Sequence, residues 1–167
     1  MADIDWILLL SRWVHLGAAF AAVGGVVYAR VAALPGVSEA LDGDSAEKVR
    51  EAMRRRWAKV THACIALLLI TGGINFVILA MPPKVEPMPY HAIFAVKFIA
   101  AMLIFFFATA LVGRSAGLAK FRVQSRKWLS VIIVLGALVV LLSGLLNQVR
   151  TTQARNTPPA ALVPPVE

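Results

Sequence analysis

Residues 11–25, SRWVHLGAAFAAVGG, lie inside a hydrophobic run that extends from Ile4 to about Leu34. A run of that length is more than enough to cross the hydrocarbon core of a bilayer, about 30 Å thick, as one helix. Two ionisable residues, Arg12 and His15, fall within it, where burying a charge is costly unless something offsets it. On a helix, positions 12, 15, 18, 19, 22 and 25 share a face that reads Arg, His, Ala, Ala, Ala, Gly. An imidazole followed by small side chains leaves room for something flat or for a close neighbouring helix. Small residues also pack membrane helices together without any cofactor, so the stripe alone does not choose between the two.

The rest of the chain has the same character. Of its 167 residues, 59% are hydrophobic and 16% charged, and the mean hydropathy is +0.76. A soluble domain of this size cannot hide that much apolar surface, so the class is integral membrane protein. Four apolar runs, roughly 5–33, 57–81, 90–113 and 128–147, are each long enough for a helical span. Period-2 alternation is missing, which argues against a β-barrel. The expected fold is all-α: a four-helix transmembrane bundle over residues 1–150, followed by a disordered Pro-rich tail over 151–167.

A net charge of +8 points to nucleic acid in a soluble protein, but here the basic residues cluster at the ends of the apolar runs. The first connection and its flanks hold Arg30, Lys48, Arg50, Arg54, Arg55, Arg56 and Lys59, and the third holds Arg114, Lys120, Arg122, Arg126 and Lys127. The second has Lys84 alone. By the positive-inside rule the first and third connections face the cytoplasm and both termini lie outside. Partners are therefore the lipid bilayer and a membrane redox partner or a second copy of the chain, with no nucleic acid. The setting that fits is a bacterial inner membrane. An acidic amino end, with Asp3 and Asp5, and a long first run are a poor match to a cleavable signal peptide. Cys64 is the single cysteine, so no intramolecular disulfide forms, and without a C-x-x-C-H motif any haem is b-type and not c-type.

Taken in order, the first helix runs from near Ile4, past Trp6 at the outer interface, to Tyr28 and Arg30, and Pro35-Gly36 is expected to stop it. Asp44, with Glu47 three residues on, resembles an amino-terminal cap for a second helix that starts near Ser45 and passes through RRRW into the membrane. Trp57 marks its inner interface, and His62, Thr71, Gly72, Gly73 and Asn75 follow. The outer connection PPKVEPMPY, residues 82–90, has four prolines and is expected to lack regular structure. Tyr90 and His91 open the third helix, and Lys97 lies nearly two turns further in. Trp128 anchors a fourth helix that has no ionisable residue from Leu129 to Leu146.

Depth decides which side chains can meet. The outer plane passes near Trp6, Met81, Ala92 and Asn147, and the inner plane near Arg30, Trp57, Gly113 and Trp128. At about 1.5 Å per residue, Arg12, Asn75 and Lys97 each lie roughly 8–9 Å below the outer plane, and His15 about 13 Å below it. His62 lies about 7–8 Å above the inner plane, and His91 sits at the outer rim. Two axial ligands of one haem need similar depth on facing helices. His15 with Lys97 comes closest, whereas His15 with His62 needs a shift of about two turns. Simpler roles stand beside these: Lys97 and Arg12 can reach the outer headgroups, His62 can hydrogen-bond a backbone carbonyl, and His91 is at home at an interface.

A histidine early in the first helix, then Gly24-Gly25 and Tyr-x-Arg at Tyr28 to Arg30, resembles the copper resistance protein D domain and the related HemJ-type protoporphyrinogen oxidases. The stretches RRRWAKVTHACIALLLITGGINF and YHAIFAVKFIAAMLIFF resemble their second and third helices, and the likeness spans roughly residues 6–147. This resemblance implies a four-helix membrane bundle and, on the HemJ side, a b-type haem with His15 and Lys97 at the family's histidine and lysine positions. The Arg-x-x-Asn-Glu-x-Pro type of sequence is absent around Arg126 to Ile133, so the oxidation of protoporphyrinogen does not carry over. On the copper side no clear ligand set carries over either.

Three functions follow. The first is a b-type haem protein that passes electrons or supports a membrane oxidoreductase, with His15 as one axial metal ligand and neutral Lys97 as the other. Arg12 would then pair with a propionate, Asn75 would hydrogen-bond the group, and His62 is a further candidate in the cofactor-binding set. The second is copper handling through Met81, Met88 and His91 around the outer connection, since thioethers and imidazole suit Cu(I). The third is a non-catalytic assembly or anchoring subunit whose basic loops bind anionic lipid or a partner. Whether the chain is an enzyme is left open.

Overall fold

The computed structural model describes residues 6–80, 87–113 and 115–156. Helix α1 covers Trp6–Tyr28, and a π-helical turn over Ala29–Ala33 leads into α2, Leu34–Ala40. Helix α3 covers Gly43–Ala80 and α4 covers Pro87–Val112. A single 3₁₀ turn, Ala116–Leu118, precedes the short α5, Ala119–Val123, and the long α6, Ser125–Asn156. No strand occurs among the described residues. Four stretches within these helices, Trp6–Ala40, Gly43–Ile78, Ala92–Val112 and Ser125–Val149, are long and apolar enough to cross a membrane. The fold is therefore an all-α bundle of four long apolar helices, as expected of a multi-pass membrane protein.

Helix boundaries differ from the sequence expectation at four places, each for a backbone reason. Pro35-Gly36 does not stop the first helix. Leu34 N–H bonds to the Ala29 carbonyl, five residues back, and this wider turn makes room just ahead of Pro35, whose ring would crowd the carbonyl four residues back in a regular helix. The chain reverses later, where Leu41 is extended and Gly43 takes a φ of +52° that favours glycine. Helix α3 accordingly starts at Gly43, so Asp44 sits within its first turn, where a carboxylate opposes the helix dipole.

Helix α4 begins inside the proline-rich connection, at Pro87. Pro87 and Pro89 fall in its first turn, where a missing N–H leaves no intrahelical bond unmade. Helix α6 continues through Thr151 to Asn156. Residues 148–156 contain neither glycine nor proline, and the Thr151 hydroxyl donates to the Gln148 carbonyl at 2.9 Å. The tail over 157–167 and the outer connection over 81–86 lie outside the described residues.

Helix α1 packs chiefly on α3 and α4 chiefly on α6, while α3 with α4 and α1 with α6 close the square. This sets α1 diagonally across from α4. The end of the bundle where α6 begins is filled by Val26, Leu129 and Ile132, packed with Ile104, Phe107 and Leu111. Phe107 stacks on Trp128 with ring centroids 4.6 Å apart, and Phe121 closes on the same indole at 4.8 Å. Arg30 Nε donates to both the Arg126 carbonyl and the Ser130 hydroxyl at 3.2 Å, tying the π turn to the start of α6. Toward the opposite end, Phe76 of α3 stacks on Phe94 of α4 at 4.5 Å. Large apolar side chains such as Trp13, Phe20, Val134, Val140 and Leu141 point away from the bundle, which suits contact with lipid chains.

At 38 residues, α3 is about 57 Å long and cannot be contained in a bilayer core. Its amino-terminal turns carry the charge. Glu51 accepts from Arg54 and, at 2.9 Å, from Arg55, and Arg50 donates to Ser38 of α2 at 2.8 Å. Part of the basic cluster thus closes the α2–α3 corner.

Candidate functional site

The face that α1 turns toward α3 carries Ser11, His15 and Ala18, with Ser11 and Ala18 buried and His15 half-buried. The spacing of four and then three residues keeps them in line along one side of the helix. Arg12 is one residue, about 100° of rotation, away from Ser11 and is exposed on the outside of the bundle. It therefore does not join the inward layer, although counting along the sequence puts it at a similar depth. Gly25, lower on the face, receives the indole of Trp57 against its Cα. That part of the small-residue stripe serves helix packing.

His15 meets α3 through a hydrogen bond between Nδ1 and Thr71 Oγ1, 2.8 Å long. The Thr71 hydroxyl in turn donates to the Leu67 carbonyl one turn earlier, at 2.6 Å. Ser11 reaches the Thr71 carbonyl at 3.4 Å, a longer bond that adds a second tie between the same two turns. The ring lies beside Gly72, where a Cβ would be 3.5 Å from His15 Cε1, an ordinary packing distance. Among the described residues, His15 Nε2 makes no hydrogen bond.

Asn75 stands one turn beyond Thr71 on α3, and its buried Oδ1 has no hydrogen-bond partner among the described residues. An unsatisfied buried carbonyl oxygen costs about 1–3 kcal/mol. Lys97, on the diagonally placed α4, is half-buried. His15, Asn75 and Lys97 thus stand on three helices in the half of the bundle where α1 and α4 begin. His62 does not. It lies nine residues before Thr71, about 13 Å along α3, is exposed, and its Nδ1 bonds the Ala58 carbonyl of its own helix at 2.6 Å.

As donors toward a metal, this set offers an imidazole nitrogen from α1 and, when neutral, an amine nitrogen from α4. If a haem were bound here, these two nitrogens could hold its iron. The unpartnered Asn75 Oδ1 could accept a hydrogen bond from a bound group. Among the described residues no group of three or more His, Cys, Asp or Glu can hold a metal ion. Met81 and the side chains of Met88 and His91 lie outside the described residues.

Sequence reading gave Thr71 and Ser11 no role. The signal that pointed to them was a hydroxyl at each position: Ser11 four residues before His15, and Thr71 four residues before Asn75, inside apolar spans where a hydroxyl needs a partner. No protein-family model, curated protein or solved structure matches the chain.

Proposed function

We propose that this chain is a multi-pass membrane protein that holds a b-type haem in the outer half of its bundle and passes electrons, or supports a membrane oxidoreductase, through it. The observation that carries this reading is His15. It is an imidazole inside a membrane bundle, with one ring nitrogen bound to α3 and the other making no hydrogen bond among the described residues. When bound, the haem supplies one-electron redox chemistry. The chain's own part would be to hold the group through His15 Nε2 and the neutral Lys97 amine, and to keep water out with the surrounding apolar helices. The resemblance to the copper resistance protein D domain and the HemJ-type proteins supports the same pairing of histidine and lysine.

The orientation belongs to the same proposal: both termini outside, the first and third connections in the cytoplasm, in a bacterial inner membrane. It is supported by the basic residues of those two connections, and by the Arg30 bonds to Arg126 and Ser130, which bring them to one end of the bundle. Purification in mild detergent after expression with ample haem tests the central reading. A Soret band in the wild type that is lost in His15→Ala supports it. A wild type with no Soret band rejects it and puts the assembly-subunit reading first.

A further inference from the structure

We infer that Thr71 is a positioning residue that fixes the tautomer of His15, keeping the hydrogen on Nδ1 and the lone pair on Nε2. The inference follows from counting hydrogens around one oxygen. A threonine hydroxyl has a single hydrogen to give and two lone pairs to receive. Thr71 Oγ1 lies 2.6 Å from the Leu67 carbonyl, and a carbonyl can only accept, so the hydroxyl hydrogen is spent there. What Thr71 Oγ1 offers to His15 Nδ1, 2.8 Å away, is a lone pair. Nδ1 must therefore carry the hydrogen.

In the neutral ring, Nε2 is then the unprotonated nitrogen. A free imidazole in water prefers the opposite tautomer, with its hydrogen on Nε2, so Thr71 reverses the default. The surrounding contacts hold the geometry. Ser11 ties α1 to the Thr71 carbonyl, and His15 Cε1 lies beside Gly72 of α3. Histidines that bind metals commonly donate the second ring N–H to a partner that sets orientation and raises ligand basicity. Here the partner is a hydroxyl whose polarity is in turn set by a helix carbonyl, so α3 itself dictates which nitrogen of α1 is available.

The tautomer stands independently of any ligand; its consequence for affinity rests on the haem reading. The two are separable by experiment. The chain has three histidines, and the ring nitrogens of ¹⁵N-histidine-labelled, haem-free protein in detergent micelles can be assigned by the signals lost in His15→Ala. Wild-type His15 is expected to show a protonated Nδ1 and an unprotonated Nε2. Thr71→Val, which keeps the shape and removes the hydroxyl, should move the hydrogen to Nε2 in part or in full, and Thr71→Ser should restore the wild-type pattern.

A wild-type His15 protonated at Nε2, or a Thr71→Val protein that keeps the wild-type pattern, overturns the inference. The wild-type spectrum decides even if Thr71→Val fails to fold. In a parallel haem titration, Thr71→Val is expected to weaken binding about 10–100-fold, with Thr71→Ser close to wild type. Unchanged haem affinity in Thr71→Val overturns the link to the ligand. A wild type that shows the expected tautomer and takes up no haem supports Thr71's role and rejects the haem reading.

Discussion

His15 and Lys97 are not interchangeable donors, and substitutions at Lys97 separate its two roles. An amine coordinates only through a free lone pair, whereas a guanidinium stays protonated and has none to give. Lys97→Ala is therefore expected to shift the ligand-field bands of the haem-bound protein, and Lys97→Arg to leave them shifted although the positive charge is kept. If Lys97→Arg restores the wild-type spectrum, Lys97 acts through charge and not as a ligand. Asn75 makes a different prediction. Its Oδ1 is buried without a partner among the described residues, so Asn75→Leu should stabilise the haem-free protein by about 1–3 kcal/mol while weakening haem binding. Chemical unfolding in detergent reads the first effect and a haem titration the second. His15 was legible in the sequence because a histidine deep in an apolar span has nowhere to escape to. Arg12 is exposed, and a stripe drawn through residues three and four apart leaves the centre of the inward face undetermined by one residue. The structure centres that face on Ser11 and His15.

At the scale of the element, helix pairing depends on contacts that the hydropathy profile does not carry. Trp57 serves as a packing residue against Gly25. Gly25→Ala is expected to destabilise the α1–α3 pair by about 1–3 kcal/mol through overpacking, and Trp57→Leu to relieve most of that loss. Gly17 and Gly24 face open space, with nothing within 4 Å of where an added methyl group would sit, so Gly17→Ala and Gly24→Ala should be neutral or mildly stabilising in the same thermal unfolding assay, since alanine is the better helix former. An equal change at all three glycines would show that the indole contact does not govern the result. The existence of each span could be read from its length and apolarity. The ends could not, because proline acts differently according to where it falls: Pro35 is accommodated behind a π turn and Pro87 opens a helix.

Across the whole molecule, the sequence implied four spans but not which helices lie side by side. The pairing of α1 with α3 and α4 with α6, and the diagonal placing of α1 and α4, go with side-chain fit, such as Trp57 of α3 against Gly25 of α1 and the Phe107, Phe121 and Trp128 group. Orientation is open to a direct test. In a Cys64→Ala background, a cysteine at exposed Ser45 is expected to resist a membrane-impermeant thiol reagent in intact cells, and one at exposed Thr152 to react. The reverse pattern would invert the topology. The proposed site depends on the whole bundle, since His15, Asn75 and Lys97 come from three different helices. The measurement that tests the account most directly is the absorption spectrum of purified wild-type and His15→Ala proteins, both expressed with ample haem and both checked for helical content. The account predicts a Soret band in the wild type and its loss in a His15→Ala protein that remains helical; no band in the wild type, or an unchanged band in His15→Ala, would contradict it.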